Sequence, residues 1–354
     1  DLEGYKTVIS IRGVGNETNQ NAIAAPSVAF HMDGIFIASP FSLQTDFIDV
    51  ERIEVLRGPQ GTLFGQNSTG GAINVISKKP TTDSYGGKAD FTMGTYGLAK
   101  FRTSNNIPLS KKLATRFSAS ITERDGFTKN LVTGQDLDDA SNISLRSDWL
   151  LEIDDISSLR FFGQYFKVDR NGSAMKGVDD VSSDPRELYQ DSLSKHDLTS
   201  LVVAAIYETD LGFANLKVMA SSQEDDISVD RDNDRHNYGD LVKVIPGLGP
   251  NATYQRAEYN SESSIVETKT FEINLVSNEP LFGGLDWTLG AFYMEHDIEN
   301  HIRGYRDNNN DGNILYECSN SNAVSGSCYD HDYGIPGRFA VFDAEWDFVT
   351  DAFP

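Results

Sequence analysis

The feature that most constrains this chain is a repeated alternation. Beyond residue 85, segments of about ten residues carry apolar side chains at every second position. In LATRFSASIT, Leu113, Thr115, Phe117, Ala119 and Ile121 share one face, and Arg116, Ser118 and Ser120 the other. Phe271, Ile273 and Leu275 oppose Glu272 and Asn274; Trp287, Leu289, Ala291 and Tyr293 share a face; Ala340, Phe342, Ala344, Trp346 and Phe348 oppose Asp343, Glu345 and Asp347. A period of two is that of a β-strand with unlike faces. Some ten such segments recur, each long enough for a tilted membrane strand of ~9–11 residues. Alternation alone leaves open which face is enclosed, since a soluble sheet would solvate the same acids. The connections discriminate. Short ones such as IPLSKK and LEIDDISS alternate with long polar ones such as SSQEDDISVDRDNDRHNYGD, the arrangement of a barrel with tight turns at one rim and long loops at the other. The pattern therefore predicts a transmembrane antiparallel β-barrel, with a soluble β-rich protein as the alternative.

The first 80 residues have a different texture. Eight acids and six bases leave them at −2, so the remaining 274 residues carry −21 of the total −23. Short apolar runs broken by glycines, with Asp33–Gly34 as a turn between two strands, predict a compact α+β globule over 1–80. The barrel portion would occupy 81–354. A net charge of −23 excludes a partnership with the nucleic-acid backbone. The chain has no initiator Met and no leader-like start, so it is expected to be a piece of a longer protein.

At the end of the first region lies ERIEVLRGPQGTLFGQNSTGGAINVISKKP (51–80), with glycines at 58, 61, 65, 70 and 71. GQNSTG has the spacing of a phosphate cradle, but that motif needs Lys and Ser/Thr next. Here Gly71 and Ala72 follow, so nucleotide binding is set aside. The other use of such glycines is close backbone packing. Charges such as Glu54 and Arg57 inside a protein need partners. The expectation is that this segment lies against a barrel wall with an acidic lumen.

The same stretch strongly resembles the end of the plug domain of TonB-dependent outer-membrane receptors. ISIRGVG (9–15) and VAFHMDGIFI (28–37) resemble that domain's earlier strands, and the sequence from Gly86 to Asn130 resembles the first barrel strands. The resemblance extends over essentially the whole chain. It implies an active transporter of the Gram-negative outer membrane: a monomeric barrel, incomplete at about ten strands here, filled by an N-terminal α+β plug. It implies import of a ferric siderophore or similar iron complex, driven by the TonB complex of the inner membrane. Vitamin B12, haem, oligosaccharides and plant-derived small molecules are alternative cargoes; a passive porin or adhesin barrel is the alternative from another class. Carried over onto this sequence, Glu54, Arg57, Gly58, Pro59, Gly70 and Gly71 would form a plug–barrel latch. The resemblance implies binding and transport roles and no catalytic residues. The TonB box that precedes the family's plug is absent.

Other features give lesser expectations. His31, Phe36 and Phe41 are candidate ligand contacts near the plug apex. Asp307, Asn309 and Asp311 resemble a calcium loop, although Glu317 falls one position short of the closing carboxylate; a solvated Asn/Asp/Gly loop is the alternative, and no other cofactor is expected. Cys318 and Cys328 enclose nine residues rich in Ser, Asn and Gly and suit a local disulfide in an oxidising compartment. The acidic run 224–236 reads as an extracellular loop, able through cations to meet lipopolysaccharide phosphates beside the membrane lipid. His296 and His301, five apart, would face opposite ways on one strand and share no metal.

Overall fold

The computed structural model describes residues 9–15, 26–39, 41–61, 67–177, 180–190, 192–232, 235, 243–244, 253–254, 257–280, 284, 286–307 and 339–351. Asn309, Asp311, Cys318 and Cys328 lie outside them, as does the side chain of Asp307.

The first region holds β1 (Ser10–Ile11), β2 (Val14–Gly15), β3 (Val28–Met32), β4 (Ile35–Phe36), β5 (Val50–Arg57) and β6 (Gly71–Ser77). The last four form one sheet in the order β4-β3-β6-β5, with β3 and β6 parallel. β3 is buried along its whole length, and a 3-10 turn spans Ser42–Gln44. At Asp33 and Gly34 φ is +54° and +88°. Two positive values in a two-residue connection are what a type I′ hairpin requires, and Asp and Gly are the residues that supply them cheaply.

The second region is a ten-stranded antiparallel meander. Its strands are β7 (Gly86–Met93), β8 (Ala99–Pro108), β9 (Leu113–Arg124), β12 (Ala140–Glu152), β13 (Ser157–Arg170), β15 (Lys195–Asp210), β16 (Ala214–Asp232), β19 (Ala257–Ser277), β20 (Thr288–Asp307) and β21 (Phe339–Asp351). Three short strands, β10 (Thr128–Asn130), β11 (Asp136–Leu137) and β14 (Glu187–Leu188), pair with one another above it; β17 (Lys243–Val244) and β18 (Thr253–Tyr254) form a hairpin. At one rim the connections are 109–112, 153–156, 211–213 and 278–287. At the other they are 94–98, 125–139, 171–194, 233–256 and 308–338.

Which face is enclosed is decided by the first region, which lies against the large sheet. Arg116, Ser118 and Ser120 turn toward it, and Ser118 and Ser120 are buried there; Phe117 and Ile121 point the other way and are exposed. The same holds for Leu145, Trp149, Phe161, Leu201, Phe271 and Tyr293, all exposed on the outer face. A polar inside and an apolar outside is the polarity of a barrel in lipid and the reverse of a soluble sandwich. On β12 the outward residues from Ile143 to Leu151 cover nine positions, the length of one crossing. β16, β19 and β20 run 19, 21 and 20 residues, so they continue well beyond the lipid on the long-loop side.

The globule reaches Lys100 on β8 at Asp46 and Met294 on β20 at its Ala29–Phe36–Ala72 cluster. Seven strand spacings separate β8 from β20, about 34 Å of sheet. The sheet therefore wraps around the globule, which is a plug.

One expectation is corrected here. Residues 224–232 are not loop: they finish β16, with Asp225, Ile227 and Val229 buried and Glu224 and Asp226 exposed. The alternation was present in EDDISVD but masked by its charge, because both faces carry acids.

Candidate functional site

The chemistry concentrates where plug meets wall. The Asp33–Gly34 turn points its carboxylate into β12 and β13. Asp33 Oδ2 accepts from Arg146 Nη2 at 2.7 Å and from Arg160 Nη2 at 3.3 Å. Its other oxygen, Oδ1, accepts from the Ser77 N–H at 2.9 Å. Asp148, two residues along the same wall strand, takes Arg160 Nη2 at 2.6 Å and Arg146 Nη2 at 3.1 Å. The Phe162 ring lies 4.1 Å from the Arg146 guanidinium carbon and 5.5 Å from that of Arg160. All four charged side chains are at most 5% exposed. Two carboxylates and two guanidiniums sum to zero, which is what makes enclosing them tolerable.

Two further plug acids repeat the pattern. Asp49 is gripped two-fold by Arg116, through Nε and through Nη2 at 2.9 Å, and accepts from Ser118 Oγ. Asp46 accepts from Ser120 Oγ at 2.7 Å and Lys100 Nζ at 3.3 Å. Across the lumen the links are uncharged or one-sided. Ser42 Oγ donates to the buried Asp225, 2.8 Å from each carboxylate oxygen, and Gln223 Nε2 donates to the Phe36 carbonyl at 2.7 Å. The strap after the plug is tied at the short-turn rim, where Asn106 exchanges two hydrogen bonds with the Thr81 backbone. Apolar packing joins these links, with Phe30, Met32 and Ile35 clustered against Phe162, Val202 and Met219.

The lumen is thus mixed in sign rather than simply acidic as expected. In the ion pairs of Asp33, Asp46 and Asp49 the acids come from the plug and the cations from the wall, although the wall also encloses acids of its own at Asp148 and Asp225. Glu54 accepts from Arg52 Nε at 2.8 Å and from Asn74 Nδ2 at 3.2 Å, both within the plug. Arg57 and Pro59 are exposed on or beside β5, an edge strand of the plug sheet. Gly70 and Gly71 do pack closely, but against the plug itself. A Cβ at Gly70 would stand 2.9 Å from Val14 Cγ1, and one at Gly71 would meet the Leu56 carbonyl and Ile11. The close backbone expected at this stretch is the neighbouring plug strand rather than the wall.

His31, Phe36 and Phe41 are 6%, 3% and 1% exposed, buried in the plug and along the wall rather than at an open apex. His296 and His301 sit on β20 with separate partners, Thr268 Oγ1 at 2.8 Å and Glu299 Oε1 at 3.0 Å. Asp33, Asp46 and Asp49 were missed because Asp in a turn is also the commonest local turn former. The available signal was on the other side: Arg116, Arg146 and Arg160 stand on inward faces of a chain short of cations.

Burial pushes the His31 imidazole down to about 4. Its folded pKa lies below the unfolded value near 6.5, so between pH 4 and 6.5 the unfolded plug binds the extra proton and stability falls as the solution is acidified. Asp49 works in the same direction. Burial alone would raise its carboxyl, but the hydrogen bond and charge of Arg116 outweigh this and hold it below the ordinary range. Its contribution is present at neutral pH and fades as pH drops through that folded value. Acidifying from pH 7 to 4 should cost roughly 3 kcal/mol through His31. A His31→Gln variant should show a flatter denaturation midpoint across that range; an unchanged slope would refute the assignment.

Residues 2–72 match the family model of the TonB-dependent Receptor Plug Domain. The pesticin receptor of Yersinia pestis is 36% identical over 80 residues, 23% of this chain and 11% of that protein. The catecholate siderophore receptor Fiu of Escherichia coli K12 is 39% identical over 74 residues, 20% and 10% of the two chains. Among solved structures, the ferric yersiniabactin uptake receptor FyuA from Yersinia pestis is similar at a TM-score of 0.58 and 14% identity, covering 98% of this chain and 55% of that one. The ferripyoverdine receptor of Pseudomonas aeruginosa gives 0.58 and 16%, over 86% of this chain and 40% of that one. At these identities the structures speak for the fold alone. The chain spans about half the length of the solved receptors it resembles, and its sequence matches cover about a tenth of the curated relatives.

Proposed function

We infer that the chain belongs to the TonB-dependent receptors of the Gram-negative outer membrane, and on that premise propose that it contributes the plug and the first barrel strands of an active importer of a ferric siderophore or similar iron complex. The observation that carries the transport reading is the enclosed Asp33–Arg146–Asp148–Arg160 cluster. It belongs to a set of polar links, most of them charge-neutral, that seat the plug together with apolar contacts around Met32, Phe41 and Phe36. Such links can be exchanged for water when the plug shifts, whereas a passive pore has no use for them. TonB, reaching from the inner membrane, would supply the pull that shifts it. The substrate would bind on the long-loop side.

An iron cargo is supported by the catecholate siderophore receptor Fiu among the sequence relatives. The test is uptake of radiolabelled ferric siderophores by cells carrying the complete receptor, with and without TonB, alongside its transcription under iron starvation. Iron-responsive transcription and TonB-dependent uptake are expected. Constant transcription with uptake of vitamin B12, haem, an oligosaccharide or a plant-derived small molecule would transfer the reading to that cargo.

Three site assignments extend this reading. Glu54, Arg57, Gly58 and Pro59 are assigned to a second docking contact of the complete receptor, on the plug edge that the described wall leaves open. Calcium at Asp307, Asn309 and Asp311 is assigned to the extracellular side, where calorimetric titration of the intact receptor should show binding. The bridge between Cys318 and Cys328 should appear as one disulfide-linked peptide in non-reducing digests.

A further inference from the structure

The wall strands that meet Asp33, Asp46 and Asp49 are cationic out of proportion to the chain. Inward positions of β8, β9, β12 and β13 carry Lys100, Arg116, Arg146 and Arg160, each at a plug carboxylate. By the same alternation Arg102, Arg124 and Arg170 face inward further along these strands. Among these inward positions the only acids are Asp148 and Glu152, in a chain with 53 acids against 30 Lys and Arg. Stability does not call for this bias, because a well-packed apolar contact would seat a plug as firmly as an enclosed ion pair.

The wall holds Arg146 and Arg160 in place without help from the plug. Arg146 Nη1 donates to Gln164 Oε1 at 3.0 Å, and Arg160 Nε donates to Asp148 Oδ1 at 2.9 Å. Asp148 Oδ2 accepts from the Nη2 of both, and the Phe162 ring lies against both guanidiniums. Their two Nη2 atoms also converge on one plug atom, Asp33 Oδ2. Withdrawing Asp33 therefore leaves the pair assembled, with two cations against one wall carboxylate. An enclosed surplus charge of that kind needs an anion. Guanidiniums converging on one point suit a carboxylate or a similar oxyanion.

We propose that Arg146 and Arg160 form a transit site for an anionic oxygen group of the cargo, which the Asp33 carboxylate occupies while the plug is seated. The proposal rests on the transport reading and adds the chemistry of the passage. A cargo that carries a carboxylate or other oxyanion takes the place of Asp33 as the plug moves, so the wall is not left with an unpaired charge. Arg116 and Lys100, uncovered as Asp49 and Asp46 withdraw, continue the same track across β9 and β8. Across the lumen the enclosed Asp225 on β16 presents the other sign, which places the track on the β8–β13 side. A neutral cargo gains nothing from it.

Formate, a free carboxylate the size of the group removed, is the direct probe. Added to the full-length Asp33→Ala receptor, it should raise the denaturation midpoint saturably and restore at least half of the loss. The wild type, whose site is filled, and Asp33→Ala/Arg146→Met, which has no surplus cation, should not respond. The second arm uses only that neutral double variant, in cells with TonB. Its lumen should stay closed to large antibiotics, and it should bind an anionic ferric chelate at the cell surface as the wild type does. Its uptake of that chelate should fall about tenfold or more, the worth of one charge-assisted hydrogen bond. Equal formate responses in the single and double variants, or wild-type uptake by the double variant, would overturn the proposal. Wild-type cells importing no ferric chelate would instead overturn the transport reading; the formate response, which needs no transport, would still decide the anion site.

Discussion

Replacing Asp33 with Ala is expected to cost about 3–5 kcal/mol of plug stability, the usual consequence of stranding a buried charge. The variant leaves Arg146 and Arg160 facing Asp148 alone, one uncompensated guanidinium at a site where the four side chains are at most 5% exposed. Phe162 softens this slightly through its ring face but cannot replace a carboxylate. The Ser77 N–H also loses its acceptor. The measurement is a lowered denaturation midpoint for the intact receptor, together with sensitivity of the cells to large antibiotics that a closed lumen excludes. The double variant Asp33→Ala/Arg146→Met restores neutrality and should recover more than half of the loss. A single-variant loss below about 0.5 kcal/mol, or no coupling between the two positions, would show that this cluster does not hold the plug.

The second large effect is expected at Gly71. Its φ is +146°, a region closed to residues with a side chain, and a Cβ there would collide with the Leu56 carbonyl and stand 2.8 Å from Ile11 Cδ1. Strain alone costs about 1–3 kcal/mol, and the collision adds an overpacking cost of similar size. Gly71→Val should therefore remove more than about 3 kcal/mol and lower the amount of receptor reaching the membrane, with Gly71→Ala intermediate. The matched control is Gly86→Ala on β7, where no atom lies within 4 Å of the added Cβ. Equal behaviour of the Gly71 and Gly86 variants would disprove the packing argument.

The strands could be read residue by residue because each carries its own record of two unlike faces. Phe117 and Ile121 separate from Arg116, Ser118 and Ser120 by the pleat alone, and no distant residue is needed to see it. The reading failed at Glu224–Asp232 because above the lipid both faces meet polar surroundings; Asp225 is inward and Asp226 outward although they are chemically alike. It failed differently in the plug. Glu54 and Arg57 were singled out because they flank a distinctive glycine run, while Asp33, Asp46 and Asp49 resembled ordinary turn residues.

By itself, then, the sequence determined the two unlike faces of the strands and the two rims through local periodicity and connection length, and the presence of a plug through its resemblance to the receptor family. Only the tertiary structure decided which charges meet. Asp33 lies 113 residues from Arg146 and 127 from Arg160, and a partnership of that range depends on where the plug comes to rest. The glycines of 58–71 show the same division. Their density announced a close approach, but only the assembled sheet showed that Gly71 lies against Leu56 of the next strand, because a missing Cβ records that something is near and not what it is.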